Sequence, residues 1–301
     1  MYKYYSKINQ IPKGHASMNI TKGCVICEGG AFRAVYGEGV LDALMENDIN
    51  MECTIGVSAG ALNGYNYVAG QIGRSARFNL YHRFDPNYIG GPKTLIHNKG
   101  IIGFDYAFGP NRIEPFDQIF FDRPSRRFVA VATNCLTGES CYFEKGKCED
   151  IEKAIQASAS LPFVSSMVEI QGIPCLDGGI SNHIPIQWAL NEGYLKIIVI
   201  RTQHKVYRKE DNEKMDSMID LRYSKYPELR QSLKNMNKEY NYTCDFIDQL
   251  EKEGKIFVFS PSINDPVSRL EADVEKLGDW YFLGYNDTNR RMKECKEYLE
   301  K

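Results

Sequence analysis

The apolar positions of this chain fall into short unbroken runs set between stretches of helical spacing. Gly23-Cys24-Val25-Ile26-Cys27 is one such run and reads as a buried strand. After Glu28-Gly29-Gly30-Ala31-Phe32-Arg33-Ala34, the segment from Val35 to Glu46 carries Val35, Val40, Leu41 and Leu44 close to the spacing of one helix face. Met51 to Val57 reads as the second strand, and small, helix-compatible residues follow it from Ser58. This alternation of strand, helix, strand and helix predicts an α/β sheet with parallel strands.

Further along, the pattern weakens. From Gly70 to Pro124 aromatics, Gly and Pro dominate, among them Tyr81, Phe84, Tyr88, Phe104, Tyr106, Phe108 and Phe116. Short helices and loops over one end of the sheet are expected there. Arg127 to Thr133 is a third strand, and Cys141-Tyr142-Phe143 a short returning one. Ile151 to Ser158 reads as a helix that stops before Leu161-Pro162. Val168-Glu169-Ile170 and Ile173 to Leu176 form a hairpin delivering Asp177-Gly178-Gly179, and Lys196 to Ile200 is another apolar strand. From Val206 the composition turns polar and mostly helical. A last strand follows at Lys255 to Ser260, and a closing helix at about Asn286 to Lys301. The expected division is a loose N-terminal arm (1–19), a catalytic domain (20–205) and a helical C-terminal extension (206–301) contributing an edge strand.

Composition narrows the function. The 301 residues are 43% hydrophobic and 25% charged, ordinary for a globular protein, with a net charge of −2. That charge offers no basic footprint for nucleic acid. No apolar run approaches the ~20 residues of a transmembrane helix, and the first residues lack the apolar core of a signal peptide. Nine cysteines, an odd number, argue against a closed disulfide framework and for reducing cytoplasm. Cys24-x-x-Cys27 has no second pair at matching spacing, so both are read as small buried hydrophobes, and no metal site is expected.

The candidate chemistry centres on Gly56-Val57-Ser58-Ala59-Gly60, a G-x-S-x-G placed between a strand and a helix. That is the form of a nucleophile elbow. Gly56 and Gly60 leave room for close backbone approach, and the helix aims free N–H groups at the serine. A serine hydroxyl needs a base, and the acyl oxygen needs donors as it becomes negative. Gly29-Gly30-Ala31 suits the second need, because small residues let N–H groups turn inward. A dinucleotide loop is the competing reading, but G-x-G-x-x-G is absent. The base is open to Asp or His. Asp177 sits between an apolar run and Gly178-Gly179, whereas His183 and His204 stand in no distinctive motif.

Glu28-Gly29-Gly30-Ala31-Phe32-Arg33, Gly56-Val57-Ser58-Ala59-Gly60 and Asp177-Gly178-Gly179, in that order, resemble the patatin-like phospholipase family. Ala157-Ser158-Ala159-Ser160-Leu161-Pro162 resembles the run that precedes the family's aspartate. The likeness covers roughly Ile20 to Gln203, and the tail resembles the C-terminal extension of bacterial members. It implies a three-layer α/β fold with a mainly parallel sheet. It also implies a Ser-Asp dyad without a catalytic histidine: Ser58 as nucleophile, Asp177 as general base, and Gly29, Gly30 and Ala31 as oxyanion loop. Arg33 takes the family's basic position, with Gly56, Gly60, Gly178 and Gly179 in support. Ala31 and Ala34 depart from the usual glycine, which puts the loop's geometry in question.

The expected function is hydrolysis of lipid or other carboxyl esters through an acyl-enzyme, with transient contact at a membrane surface and no cofactor. A Ser-His-Asp esterase, an acyltransferase on the same elbow and a catalytically silent lipid-binding protein are the alternatives. Ester identity, oligomeric state and physiological role are not legible.

Overall fold

The computed structural model describes residues 8–89, 102–104, 106, 114–210 and 213–301. His97 and Phe108 lie outside them. The strands are β1 (Gly14–His15), β2 (Thr21–Cys27), β3 (Met51–Val57), β4 (Gln71–Ile72), β5 (Arg127–Asn134), β6 (Ser140–Glu144), β7 (Val168–Ile170), β8 (Ile173–Asp177), β9 (Ile197–Ile200) and β10 (Phe257–Phe259). The helices are α1 (Val35–Glu46), α2 (Ala59–Val68), α3 (Arg74–Tyr81), α4 (Gln118–Phe121), α5 (Ile151–Ser158), α6 (Ile186–Asn191), α7 (Asp216–Arg222), α8 (Pro227–Lys252), α9 (Val274–Arg290) and α10 (Met292–Glu300).

The main sheet has eight strands in the order β10-β9-β2-β3-β5-β8-β7, with β6 also paired to β5. The five strands from β10 to β5 are mutually parallel, while β6, β8 and β7 join antiparallel. Both faces of the parallel part are covered, which explains why its strands are apolar without alternation. Val25 and Cys27 face α1, α9 and α10, whereas Cys24 and Ile26 face α6 and α8. The Cys24 and Cys27 thiols therefore point to opposite sides of the sheet and cannot share a ligand. The α2, α3 and α5 side chains pack with Phe128, Ala130 and Ala132 of β5. The result is the mainly parallel three-layer α/β architecture.

One register detail sets up everything that follows. Val131 of β5 pairs with Val57, the last residue of β3, and the next residue, Ala132, pairs with Asp177, the last residue of β8. Since β6 occupies the other edge of β5 throughout, β3 and β8 lie on the same edge. They run head-on toward each other and stop at adjacent rungs.

Two expectations are revised. The described part of the arm is not loose: Ile8, Ile11 and Ala16 are buried, and β1 pairs with β4. Nor is there one closing helix from Asn286. The chain forms α9 and then α10, and α9 begins at Val274. Its first half was obscured because Gly278 and Gly284 interrupt the apolar pattern. Gly284 is there for packing: a Cβ on it would lie 2.0 Å from the Tyr36 carbonyl oxygen of α1, and a Cβ on Gly39 would lie 2.1 Å from that of Tyr281. The helices meet backbone to backbone, and the contact is locked by Tyr281 Oη donating to Asp42 at 2.8 Å.

Gly39→Ala should therefore destabilise the protein despite alanine's better helix propensity. The added methyl meets a backbone carbonyl that cannot rotate aside, and overpacking of this kind costs about 1–3 kcal/mol. Urea unfolding should give a lower midpoint, and an unchanged or raised midpoint would count against this account of the helix pair.

Candidate active site

Ser58 stands at the turn between β3 and α2 with φ 55° and ψ −128°. This backbone conformation is sparsely populated for a side-chain-bearing residue and costs of order 1–3 kcal/mol, so its surroundings must enforce it. They do so by close approach. A Cβ on Gly60 would lie 2.2 Å from the Cys27 carbonyl oxygen, and one on Gly56 would lie 2.5 Å from the Ala61 Cα. Only glycine lets the start of α2 sit against the end of β2. The Ser58 amide donates to Ser158 Oγ at 2.8 Å, which fixes the turn from the C-terminal end of α5.

Asp177 arrives from the opposite direction. Its amide donates to the Ser160 carbonyl at 2.8 Å, and its carbonyl accepts from Thr133 Oγ1 at 2.8 Å. Asp177 Oδ1 accepts from the Gly179 amide at 2.7 Å, and Oδ2 accepts from Ser58 Oγ at 2.6 Å. Both residues are nearly buried, at 7% and 5% exposure. Burial pushes the Asp177 carboxyl up to about 6, against the hydrogen bonds from Ser58 and Gly179 and the nearby cations Arg269 and Lys209, which favour its charged form. Ser158 and Ser160 each hold one member of the pair. The sequence contained them in the run ahead of the aspartate, but nothing in that run distinguished their contacts.

The glycine loop lies beside this pair. A Cβ on Gly29 would lie 2.9 Å from the Ser58 Cβ. The amides flanking the loop are satisfied: Glu28 N–H donates to the Ile200 carbonyl and Phe32 N–H to the Arg269 carbonyl. Among the described residues, the N–H groups of Gly29, Gly30 and Ala31 have no protein acceptor. Ala31 has φ 52°, a left-handed conformation unusual for alanine. The loop is held from behind. The Thr202 amide donates to Glu28 Oε2 at 2.5 Å, and Thr202 Oγ1 donates to the Gly29 carbonyl at 2.9 Å. Arg33 Nε donates to the Val267 carbonyl at 3.0 Å, and Trp280 Nε1 donates to the Arg33 carbonyl at 2.9 Å. Arg33 thus ties the loop to the C-terminal region.

Among the described residues no histidine ring is interposed between the Ser58 hydroxyl and the Asp177 carboxylate, which bond directly. His183 packs edge-on to Tyr240 at 5.1 Å between ring centroids, and the Lys209 ammonium abuts its Nε2. Burial, reinforced by Lys209 and Arg269, keeps the His183 ring well below its usual pKa and so neutral. Lys209 itself is brought down to about 7, chiefly by burial. His204 is only half-buried, and its Nδ1 accepts from the Val206 amide.

Two cavities open on Ser58. One, of about 90 Å³, is largely apolar, with Leu62, Phe78, Tyr88, Ile102, Phe104 and Leu161 in its wall. The other, of about 1480 Å³, is wider and more polar, and reaches Asp177, His183, Lys209 and Arg269. Part of the aromatic stretch before β5 thus does line a pocket at the serine.

Residues 25–190 match the family described as patatin-like phospholipase, and residues 226–300 match a domain of unknown function, DUF6363. The uncharacterized protein YjjU of Escherichia coli (strain K12) is 29% identical over 186 residues, covering 59% of this chain and 51% of that protein. An uncharacterized NTE family protein of Mycobacterium tuberculosis (strain ATCC 25618 / H37Rv) is 29% identical over 165 residues, covering 52% and 42%. This chain therefore spans about half the length of the curated relatives it matches. The crystal structure of VipD from Legionella pneumophila aligns over 91% of this chain and 67% of its own, with a TM-score of 0.48 and 14% identity. With the family match running from β2 through the elbow and the aspartate to α6, the chain belongs to the patatin-like phospholipase family.

Proposed function

We propose that this protein is a serine acyl hydrolase that cleaves carboxyl esters of lipids with Ser58 and Asp177 as a catalytic pair. The observation that carries the reading is the direct 2.6 Å hydrogen bond from Ser58 Oγ to Asp177 Oδ2. Asp177 accepts the serine proton as Oγ attacks the ester carbonyl carbon. The carbonyl oxygen, now negative, is met by the free amides of Gly29, Gly30 and Ala31. The C–O bond to the alcohol breaks, and the alcohol leaves with the proton held on Asp177. Water then attacks the acyl-enzyme, giving its proton to Asp177. Collapse releases the acid and returns that proton to Ser58.

The apolar cavity suits the acyl chain, and the polar one suits the alcohol side of the ester. The proposed working unit joins the region 20–205 to the extension 206–301, since Val267, Arg269 and Trp280 all bind the loop between Phe32 and Arg33. Among the described residues no helix is long and apolar enough to cross a membrane; the proposed contact with a lipid surface is transient.

Ser58→Ala should abolish ester hydrolysis and labelling by a fluorophosphonate while the circular dichroism spectrum is unchanged. Wild-type turnover in that variant would remove Ser58 from the reaction.

Asp177→Asn should lower kcat by about 10²–10⁴, the usual cost of losing a general base. His183→Ala should leave most of the activity. The reverse ranking would favour a histidine-based triad. Because Asp177 must be ionised to accept the proton, kcat/KM should fall below an apparent pKa near 6. A profile flat down to pH 4 would oppose its role as base.

Ala31→Gly should keep or raise kcat/KM on a short-chain ester. Holding alanine in a left-handed conformation costs roughly 1–2 kcal/mol, and glycine removes that strain from the donor loop. A drop of about tenfold, equivalent to 1.4 kcal/mol, at unchanged Tm would mean that alanine is a fitted part of the loop.

A further inference from the structure

The apolar cavity also has polar side chains in its wall. It follows α2 from Ser58 and Ala59 past Leu62 and Asn63 to Asn66, a span of about 10 Å at the α-helical rise. At the Asn66 end it meets polar side chains from α1 and α3, namely Glu38, Arg74, Ser75 and Asn79. Most of these are committed to one another. Arg74 Nη1 donates to Asn66 Oδ1, and Asn66 Nδ2 donates to Ser75 Oγ at 2.7 Å. Tyr88 Oη donates to Asn79 Oδ1 at 2.6 Å, which fixes the amide so that its Nδ2 donates to Glu38 Oε1 at 2.5 Å.

Glu38 Oε2 is the exception. The residue is 2% exposed, and this oxygen is buried with no hydrogen-bond partner among the described residues. Burial, with Asp42 adding to it, holds the Glu38 carboxyl well above the usual range, against the bond from Asn79. Burial thus favours the neutral acid, which can donate an O–H from the oxygen that lacks a partner. A buried polar atom left unpaired is costly, and because Glu38 also lines this cavity a ligand bound there is placed to supply the partner.

We propose that Glu38 forms a hydrogen-bonding floor to the acyl pocket and selects acyl chains that carry an oxygen near their far end. This inference rests on the esterase reading above. The preferred acyl group is short or medium in length, with an ether, hydroxyl or carbonyl oxygen placed to accept from Glu38. A plain alkyl chain of equal length buries the same surface but leaves Glu38 unpaired. Sites built to hydrogen-bond a substrate reject analogues lacking that group far more strongly than apolar pockets reject an added one.

The test compares isosteric p-nitrophenyl esters: hexanoate against 4-methoxybutanoate, and octanoate against 6-methoxyhexanoate. Each ratio of kcat/KM is divided by the corresponding ratio of alkaline hydrolysis rates, and the wild type is measured beside Glu38→Gln and Glu38→Leu. At one of the two lengths the wild type should prefer the ether ester by about tenfold or more. Glu38→Gln keeps an N–H donor and should retain that preference. Glu38→Leu should reverse it in favour of the alkyl ester. Because each ratio is internal to one enzyme, partial loss of folded protein does not alter it. Should Glu38→Leu fail to fold, the wild-type and Glu38→Gln ratios decide. A corrected wild-type ratio near one at both lengths, or a preference that survives in Glu38→Leu, overturns this inference while leaving the esterase reading intact. Hydrolysis of none of the four esters by the wild type overturns both.

Discussion

The site depends on two strands that stop against each other on one edge of a third. β3 and β8 occupy adjacent rungs of β5, so Val57 and Asp177 are neighbours along an edge although they approach from opposite ends. A parallel strand ending in an elbow and an antiparallel strand ending in an aspartate are thereby brought tip to tip. The hydroxyl and the carboxylate meet at hydrogen-bond distance without an imidazole to bridge them. β5, with its residues from Phe128 to Ala132 fully buried, is a rigid rule for that spacing. The serines at the end of α5 reinforce it, since Ser158 takes the Ser58 amide and the Ser160 carbonyl takes the Asp177 amide.

Around this pair the protein accumulates unfavourable local arrangements that the remainder of the fold must hold. Ser58 and Ala31 both adopt positive φ. Asp177 is desolvated, and so is Glu28 immediately before the glycine loop, where burial raises its carboxyl against Arg201 and the Thr202 amide. Clustering of strain and buried charge at one point is what a preorganised site requires. The restraint comes from far along the chain. Thr202 follows β9, Val267 and Arg269 precede α9, and Trp280 lies within it; all four bond the loop or the residues bordering it. The C-terminal region is therefore part of the site's construction, and its packing through Gly39 and Gly284 sets how close that restraint can come.

Much of this was legible from residues alone, for a local reason. A buried parallel strand needs a nearly continuous apolar run, and such runs at Cys24–Cys27 and Ile197–Ile200, with the mostly apolar Met51–Val57, are visible without knowing their partners. The elbow is equally local, because the glycines on either side of Ser58 serve contacts within one strand–turn–helix unit and its adjoining strand. The turn at Asp177-Gly178-Gly179 likewise declares itself, as Asp177 Oδ1 accepts from an amide only two residues on. Fold class, candidate nucleophile and candidate base were thus readable in order along the chain.

What the sequence could not decide was anything set by contacts between distant segments. Whether aspartate or histidine meets Ser58 depends on the abutment of β3 and β8, residues separated by 119 positions. The conformation of Ala31 is imposed by neighbours more than 230 residues away acting on Arg33 and Phe32, and not by alanine's own preference. The full extent of α9 was hidden in part because Gly284 answers to the backbone of α1 and not to helix propensity. Glu38 reads in isolation as an ordinary charged residue on a helix. Only the packing of α1 against α3 buries it, satisfies one of its oxygens with Asn79 and leaves the other unpaired in the wall of a cavity. Local periodicity and turn chemistry fix elements, whereas burial and pairing are properties of the assembled layers.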